Sequence, residues 1–164
     1  RSDFGDGATG SGSVASHVYS DNGTYTVSLT VTNDALATAT QSATISIINV
    51  DPIVDTLVVP AIVNAGELFT VSSTASDVSP DDTSAGITYG WAFGDGSFGS
   101  GGSTTGVYSA AGTYTGSLTV SDKDGGSAIQ SFTITALEVS VPTPSMGLLF
   151  MLGLVGLRAI HSNK

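Results

Sequence analysis

Residues 24–31 alternate between polar and apolar side chains, reading Thr-Tyr-Thr-Val-Ser-Leu-Thr-Val. A period of two places the apolar side chains on one face, which predicts a half-buried β-strand. Residues 113–120 repeat the pattern, with Gly116 in place of Val27. The apolar faces of the two predicted strands carry Tyr25, Val27, Leu29 and Val31, and Tyr114, Leu118 and Val120.

A second alternating strand follows each of these strands. Its apolar positions are Ala43, Ile45 and Ile47 in the first case, and Phe132, Ile134 and Ala136 in the second. Asn33-Asp34 lies between the first pair of strands, and residues 122–126, Asp-Lys-Asp-Gly-Gly, lie between the second pair. Because Asn, Asp and Gly favour tight turns, each pair is predicted to form an antiparallel hairpin.

Three more strands are predicted ahead of the second hairpin. They cover residues 53–59, 68–75 and 87–93, and Pro60 and the stretches 77–86 and 94–102 separate them. About seven short strands within ~100 residues are typical of an antiparallel immunoglobulin-like β-sandwich. We therefore predict an all-β chain built from such sandwich repeats.

The chain repeats itself at a spacing of 89 residues. Between residues 4 and 50, 24 of the 47 positions are identical to the residue 89 positions later. The first copy begins within its third strand, so we expect it to be an incomplete copy from a longer chain. The predicted organisation is a truncated module at 1–50, a complete module at 51–140 and a distinct segment at 141–164. Asn49-Val50-Asp51-Pro52 is the linker at the joint between the modules, and Pro52 restricts it to extended backbone, which favours modules held end to end.

The charge balance narrows the classes of partner. The chain has 14 Asp and Glu residues and 4 Lys and Arg residues, a formal net charge of −10, and between residues 3 and 140 its only Lys or Arg is Lys123. Nucleic acid binding needs a field of Lys and Arg, so that class is excluded. The chain has no cysteine, so in an exported protein its stability must come from the core alone.

Two conspicuous features each have a structural and a binding interpretation. The duplicated Phe-Gly-Asp-Gly motif, at residues 4–7 and 93–96, is either a ligand loop or a turn closed by its Asp side chain. Trp91 is either a sugar-stacking platform or the buried Trp of an immunoglobulin-like core. We favour the turn and the core, respectively.

Acidic residues of the second module cluster in two loops. One loop carries Asp77, Asp81 and Asp82, and the other carries Asp122 and Asp124. Oxygen-rich loops at one end of a sandwich suit Ca²⁺, which takes six to eight oxygen ligands. We assign Asp77, Asp122 and Asp124 as candidate calcium ligands, and the alternative is a set of solvated turn carboxylates.

Catalysis has little support in the sequence. His17 is the one histidine before the C-terminal segment, and its counterpart in the second copy is Gly106. The chain lacks thiols, a Gly-x-Ser-x-Gly elbow, metal-binding His pairs and phosphate-binding loops. We therefore expect a protein without enzyme activity.

The C-terminal segment changes composition abruptly. Residues 146–160 are almost entirely apolar, and Arg158, His161 and Lys164 supply a basic end. As a helix this stretch spans about 22 Å, against about 30 Å for a hydrocarbon core. We interpret it as a short membrane-anchoring helix with a cytoplasmic basic end, and a buried core helix is the alternative.

The duplicated motifs resemble the PKD domain, an immunoglobulin-like repeat. The resemblance rests on Trp91-Ala92-Phe93-Gly94-Asp95-Gly96, on the strand from Tyr108 to Val120, and on the corresponding residues 3–31 of the first copy. It implies tandem sandwich modules that present, space or bind. Calcium binding near these loops and the linker occurs in some PKD modules of secreted bacterial enzymes.

The C-terminal segment resembles the PEP-CTERM sorting signal of Gram-negative bacteria. Its box is Val141-Pro142-Thr143-Pro144, followed by the apolar stretch and Arg158. The resemblance implies export, an inner-membrane anchor, recognition by an exosortase-type protease, and delivery to the surface or matrix, often with extracellular polysaccharide.

These resemblances leave three functions open. The first is a non-catalytic surface or matrix protein with spacing and adhesive modules. The second is an accessory region of a secreted protease or glycosidase, and the third is a polysaccharide-binding module.

Overall fold

The computed structural model describes residues 1–140. We call residues 1–50 the first repeat and residues 51–140 the second repeat. The first repeat has four strands: β1 (Ser2–Asp3), β2 (Thr9–Gly10), β3 (Gly23–Thr32) and β4 (Thr38–Ile47). They form one antiparallel sheet in the order β2-β1-β3-β4.

The second repeat has eight strands and one short helix. They are β5 (Ile53–Val58), β6 (Ile62–Asn64), β7 (Leu68–Ser76), α1 (Pro80–Ala85), β8 (Thr88–Ala92), β9 (Phe98–Ser100), β10 (Ser103–Val107), β11 (Gly112–Ser121) and β12 (Ser127–Leu137). The strands form a three-stranded sheet, β10-β7-β5, and a five-stranded sheet, β6-β12-β11-β8-β9. The predicted all-β fold with immunoglobulin-like antiparallel sheets is confirmed.

The 89-residue spacing is preserved in the hydrogen-bonded ladders. The hairpin β3–β4 pairs Gly23 with Ile47, and β11–β12 pairs Gly112 with Ala136 at the corresponding positions. Both predicted hairpins are therefore present in the same register. Because side chains alternate along a strand, a shared register gives both hairpins the same inner face.

The core of the second repeat lies between its two sheets. Its largest fully buried side chains include Trp91, Tyr108, Phe93, Leu118 and Ile134. The three-stranded sheet contributes Phe69 and Val71, and the rings of Phe69 and Tyr108 stack with centroids 5.0 Å apart. Burial of these apolar surfaces is the main stabilising term of this repeat.

The first repeat has only one sheet among the described residues, and its inner face stays open. Leu29 is 44% exposed, whereas its counterpart Leu118 is 0% exposed. Val31 and Val120 differ in the same way. The same residue types therefore contribute much less burial in the first repeat, because β5, β7 and β10 have no counterpart strands over it.

The structure adds elements that the sequence pattern missed. The stretch 77–86, interpreted as a loop, contains α1, and the stretch 94–102 contains β9. In α1 the Ser79 hydroxyl accepts a hydrogen bond from the backbone N–H of Asp82, which caps the helix, and Pro80 starts its first turn. A helix of one to two turns is too short to show a helical period. In addition, β6 pairs in parallel with β12.

The C-terminal segment 141–164, with its expected apolar helix and sorting motif, lies outside the described residues. Within residues 1–140, no helix is long and apolar enough to cross a membrane.

The contrast between the two inner faces predicts unequal effects of equivalent substitutions. Leu118→Ala removes a fully buried side chain and should lower the stability of the second repeat by about 2–5 kcal/mol. Leu29→Ala should lower that of the first repeat by less than about 1 kcal/mol, because its side chain is already partly in water. Amide hydrogen exchange of β11–β12 and β3–β4 measures both effects. Equal losses in the two hairpins would contradict the open first face.

Candidate cation centre at the junction of the two repeats

The duplicated Phe-Gly-Asp-Gly turns are structural. Asp6 Oδ1 accepts a hydrogen bond from Ala8 N at 3.0 Å, and Asp95 Oδ1 accepts one from Ser97 N at 2.9 Å. Gly5 has a φ of 85°, and a Cβ at this position would lie 2.7 Å from the carbonyl oxygen of Thr26. The motif therefore recurs because glycine is required there and the Asp closes the turn, which confirms the turn interpretation.

Trp91 belongs to the core. It is 1% exposed, and its indole Nε1 donates a hydrogen bond to the carbonyl of Gly101 at 2.9 Å. A side chain in this position has no face available for a sugar, so the core interpretation is confirmed.

His17 has a partner in the first repeat. Its Nε2 lies 2.5 Å from Asp6 Oδ2, and its ring stacks on Phe4 with centroids 4.4 Å apart. The bond to His17 and the bond from Ala8 N lower the pKa of Asp6. This pair braces the Phe-Gly-Asp-Gly turn against the segment that leads to Tyr19, whose hydroxyl donates to the Phe4 carbonyl at 2.8 Å.

Three carboxylates converge where the second repeat meets the linker. Asp77, Asp82 and Asp122 each place an oxygen within 4.8 Å of the other two. Asp77 follows β7, Asp82 lies on α1, and Asp122 begins the β11–β12 turn. The fold therefore joins the two acidic loops at one end of the sandwich, as the sequence predicted.

Asp82 is the most unusual member of this cluster. It is 0% exposed, and among residues 1–140 neither of its carboxylate oxygens accepts a hydrogen bond. The Lys123 ammonium lies 3.3 Å from Oδ1 as an ion pair outside hydrogen-bonding geometry. Asp77 Oδ2 is also buried without a hydrogen bond in this part of the chain. Buried carboxylate oxygens normally accept a hydrogen bond or contact a cation, so Asp77 Oδ2 and Asp82 Oδ2 are available to a further cation.

Asp122 ties the linker to the cluster. Its Oδ2 accepts a hydrogen bond from Asn49 Nδ2 at 2.8 Å, and its Oδ1 accepts from the backbone N–H groups of Asp124 and Gly126, both at 2.8 Å. The Asn49 bond is the main cause of the lowered pKa of Asp122. These bonds keep Asp122 ionised and hold its carboxylate in a fixed position.

Asp124 belongs to a different group. Its carboxylate clusters with Asp21 and Asp82, with oxygens within 4.8 Å of one another, and it contacts the ammonium of Lys123. Of the three predicted ligands, the structure brings Asp77 and Asp122 together in one cluster. It places Asp124 in the other cluster, with Asp21 and Asp82. Asp82 is the third carboxylate of the cluster with Asp77 and Asp122. The sequence signal for it is Ser79-Pro80, a helix cap followed by a helix-starting proline, because the short helix α1 carries Asp82.

The fold and the duplicated motifs define an immunoglobulin-like antiparallel β-sandwich module. The model of the PKD domain family matches residues 1–47 and 49–136. The chain belongs to the PKD domain family.

Solved structures with similarity to this chain include PKD domains of proteins from vibrios. The PKD1 domain of Epp from Vibrio anguillarum is 27% identical, with 57% of this chain and 100% of that chain covered and a TM-score of 0.43. The PKD1 domain of the metalloprotease PrtV from Vibrio cholerae is 28% identical, with 53% and 98% covered and a TM-score of 0.38. A structure from work on carbohydrate-binding modules of the β-sandwich superfamily is 26% identical, with 57% and 37% covered and a TM-score of 0.49.

The Asn49–Asp122 bond predicts how acid affects the second repeat. A carboxyl whose pKa is lowered by folding contributes stability above its unfolded pKa, and this contribution is lost as the pH falls through the folded pKa. Wild type should therefore lose stability below a pH of about 4. Asn49→Ala should be less stable at pH 7, and its deficit should shrink at pH 3. Urea unfolding followed by Trp91 fluorescence measures this, and an equal deficit at both pH values would contradict the assignment.

Proposed function

We propose that this chain is a non-catalytic, exported surface or matrix protein whose two repeats act as a spacer with adhesive surfaces. The observation that carries the proposal is that the duplicated residues serve turns and core. The Tyr19 hydroxyl donates a hydrogen bond to the Phe4 carbonyl at 2.8 Å. At the equivalent position, the Tyr108 hydroxyl donates to the Phe93 carbonyl, also at 2.8 Å. Repetition of a scaffold without repetition of a reactive site suits a protein that sets distance.

The joint between the repeats supports the spacer role. Pro52 is fully buried, and Asp51 Oδ1 accepts a hydrogen bond from Ser127 N at 3.2 Å. The bond from Asn49 to Asp122 anchors the other side of the linker. A linker fixed at several points holds its modules in a defined arrangement, whereas a flexible linker would not.

We further propose that Asp77, Asp82 and Asp122 bind a divalent cation, with Ca²⁺ as the best chemical match. Three carboxylates in one buried group repel one another, and a dication with oxygen preference offsets that repulsion. The supporting observation is that Asp77 Oδ2 and Asp82 Oδ2 are buried and accept no hydrogen bond from residues 1–140. Bound there, the ion would join β7, α1 and the β11–β12 turn.

Calcium should therefore raise the melting temperature of the full chain, and EDTA should reverse the rise. At a free Ca²⁺ concentration 100-fold above Kd, linkage adds about 2.7 kcal/mol to the stability of the folded state. Asp82→Asn should abolish the response, while its EDTA-treated form should be at least as stable as wild type, because a buried charge is removed. Asp34→Asn, an exposed change in the first hairpin, is the control. An unchanged response in Asp82→Asn would refute the site.

The localisation part of the proposal rests on the C-terminal segment. Val141, Pro142, Thr143 and Pro144 form the proposed sorting box, residues 146–160 the membrane-inserting stretch, and Arg158 part of the basic end. An exosortase-type protease is the proposed partner, and extracellular polysaccharide or surface proteins are the proposed contacts after release. The chain would stay at the inner membrane until it is sorted.

Mass spectrometry of the mature protein tests this route. In a Gram-negative host with an exosortase-type protease, the mature chain should end close to Pro144. The double variant Pro142→Ala/Pro144→Ala should retain the segment and remain in the membrane fraction. An intact Lys164 on wild-type protein at the surface would refute processing and favour a permanent anchor.

A further inference from the structure

We propose that Lys123 is a built-in cation that locks the first repeat to the second, at a carboxylate cluster that also accepts a divalent ion when Lys123 is absent. The proposal rests on the spacer role and does not require calcium at Asp77, Asp82 and Asp122. It adds the Lys123 side chain to the linker contacts that hold the repeats in a fixed arrangement.

The ammonium of Lys123 joins residues from both repeats. Its Nζ donates to Asp21 Oδ1 at 2.8 Å and to Asp21 Oδ2 at 2.9 Å. On its own side of the joint it contacts the Asp124 carboxylate and lies 3.3 Å from Asp82 Oδ1. The bonds to Asp21 connect positions 102 residues apart in the chain.

Within residues 1–140, Lys123 is the only Lys or Arg whose side chain pairs with carboxylates at the joint. The other Lys and Arg residues of the sequence are Arg1, Arg158 and Lys164. Without the ammonium, Asp21 of the first repeat would face Asp82 and Asp124 of the second, and like charges at such distances repel. The three carboxylates also raise the pKa of Lys123, chiefly through Asp124, so the ammonium keeps its proton.

Further hydrogen bonds also join the two repeats. The carbonyl of Ser20 accepts hydrogen bonds from Ser79 Oγ at 3.0 Å and from Asp81 N at 3.4 Å, and the Ser20 hydroxyl donates to Asp81 Oδ2 at 3.2 Å. These side-chain bonds are exposed, as are those of Lys123 to Asp21, but none of them brings a positive charge to the carboxylates. They align the repeats but leave the repulsion among the carboxylates uncompensated.

The lock is specific to this joint. At the 89-residue spacing, Lys123 corresponds to Asp34 and Asp21 corresponds to Ala110. The two residues that bridge the repeats are therefore among the positions that differ between the copies. A scaffold position would have been kept in both copies, as the turn and core residues are.

The cluster has the properties of a cation site with an ammonium in it. Oxygens of Asp21, Asp82 and Asp124 lie within 4.8 Å of one another, and the buried Asp82 accepts no hydrogen bond from residues 1–140. The Lys123 side chain is 30% exposed, so its removal opens the cluster to solvent ions. Carboxylate oxygens at this spacing suit Ca²⁺.

Distances between spin labels test the lock in the full chain. Because the sequence has no cysteine, Ala35→Cys and Ala111→Cys place one label on each repeat at exposed positions. Pulsed electron resonance then gives the distance distribution in EDTA and in Ca²⁺. We compare this labelled parent with Lys123→Met, Asp21→Asn and the control Asp34→Asn.

The parent and Asp34→Asn should give one narrow distribution in both conditions. Lys123→Met should broaden it at least twofold in EDTA, and Ca²⁺ should narrow it again. Asp21→Asn changes only the first repeat, so it should broaden the distribution while Trp91 fluorescence unfolding of the second repeat stays unchanged. This variant keeps the test decisive if Lys123→Met fails to fold.

Two outcomes overturn the proposal or part of it. A narrow distribution for Lys123→Met and Asp21→Asn in EDTA would show that the lock is not needed. A broad distribution for Lys123→Met in Ca²⁺ would refute the exchange of ammonium for metal. Calorimetric calcium binding to the parent is measured separately, so a failure of the Asp77–Asp82–Asp122 site is distinguishable from a failure of the Lys123 lock.

Discussion

The burial of one sheet face against another is the constraint on which this molecule depends. In the second repeat the five-stranded sheet is covered by β5, β7 and β10, and Leu118 and Val120 are fully buried. The hairpin β3–β4 has the same register, yet its Leu29 and Val31 are 44% and 59% exposed. Local pairing therefore forms without a complete core, but the stability of a repeat depends on the opposing sheet. The second repeat thus supplies the rigid base for the junction.

The long hairpins could be predicted from sequence because period-two alternation runs through whole strands such as residues 24–31. The short elements could not. Three-residue strands such as β6 and β9 carry too few positions for a period, and the parallel pairing of β6 is a tertiary contact. For the junction, sequence located the acidic loops, but only packing decides that Asp82 is buried while Asp124 faces Asp21. The contact of Asp21 with Lys123 could not be predicted from the sequence, because the two residues lie in different repeats, 102 residues apart.

The acidic residues fall into two groups, those that close turns and those that lie at the junction of the repeats. Asp6 and Asp95 close duplicated turns, and their pKa values are lowered by the hydrogen bonds they accept. The junction carboxylates include oxygens that accept no hydrogen bond from residues 1–140, so their negative charge is available to an ammonium or a metal ion. In a chain with a net charge of −10, the junction is therefore the region whose carboxylates can bind a positive charge. Dissolved salt should weaken the ionic interactions at the junction less than it weakens exposed ion pairs, because part of the junction is buried.

The parallel pairing of β6 with β12 also has a mechanical consequence. The pair aligns Thr135 with Ile62, Ala136 with Val63 and Leu137 with Asn64, near the point where the described chain leaves the second repeat. Tension between the start of β6 and the end of β12 pulls these strands in opposite directions along their length. Their cross-strand hydrogen bonds are then loaded together in shear, whereas a hairpin opened from one end loses its bonds singly. A chain pulled along its length would carry part of its load through this small patch.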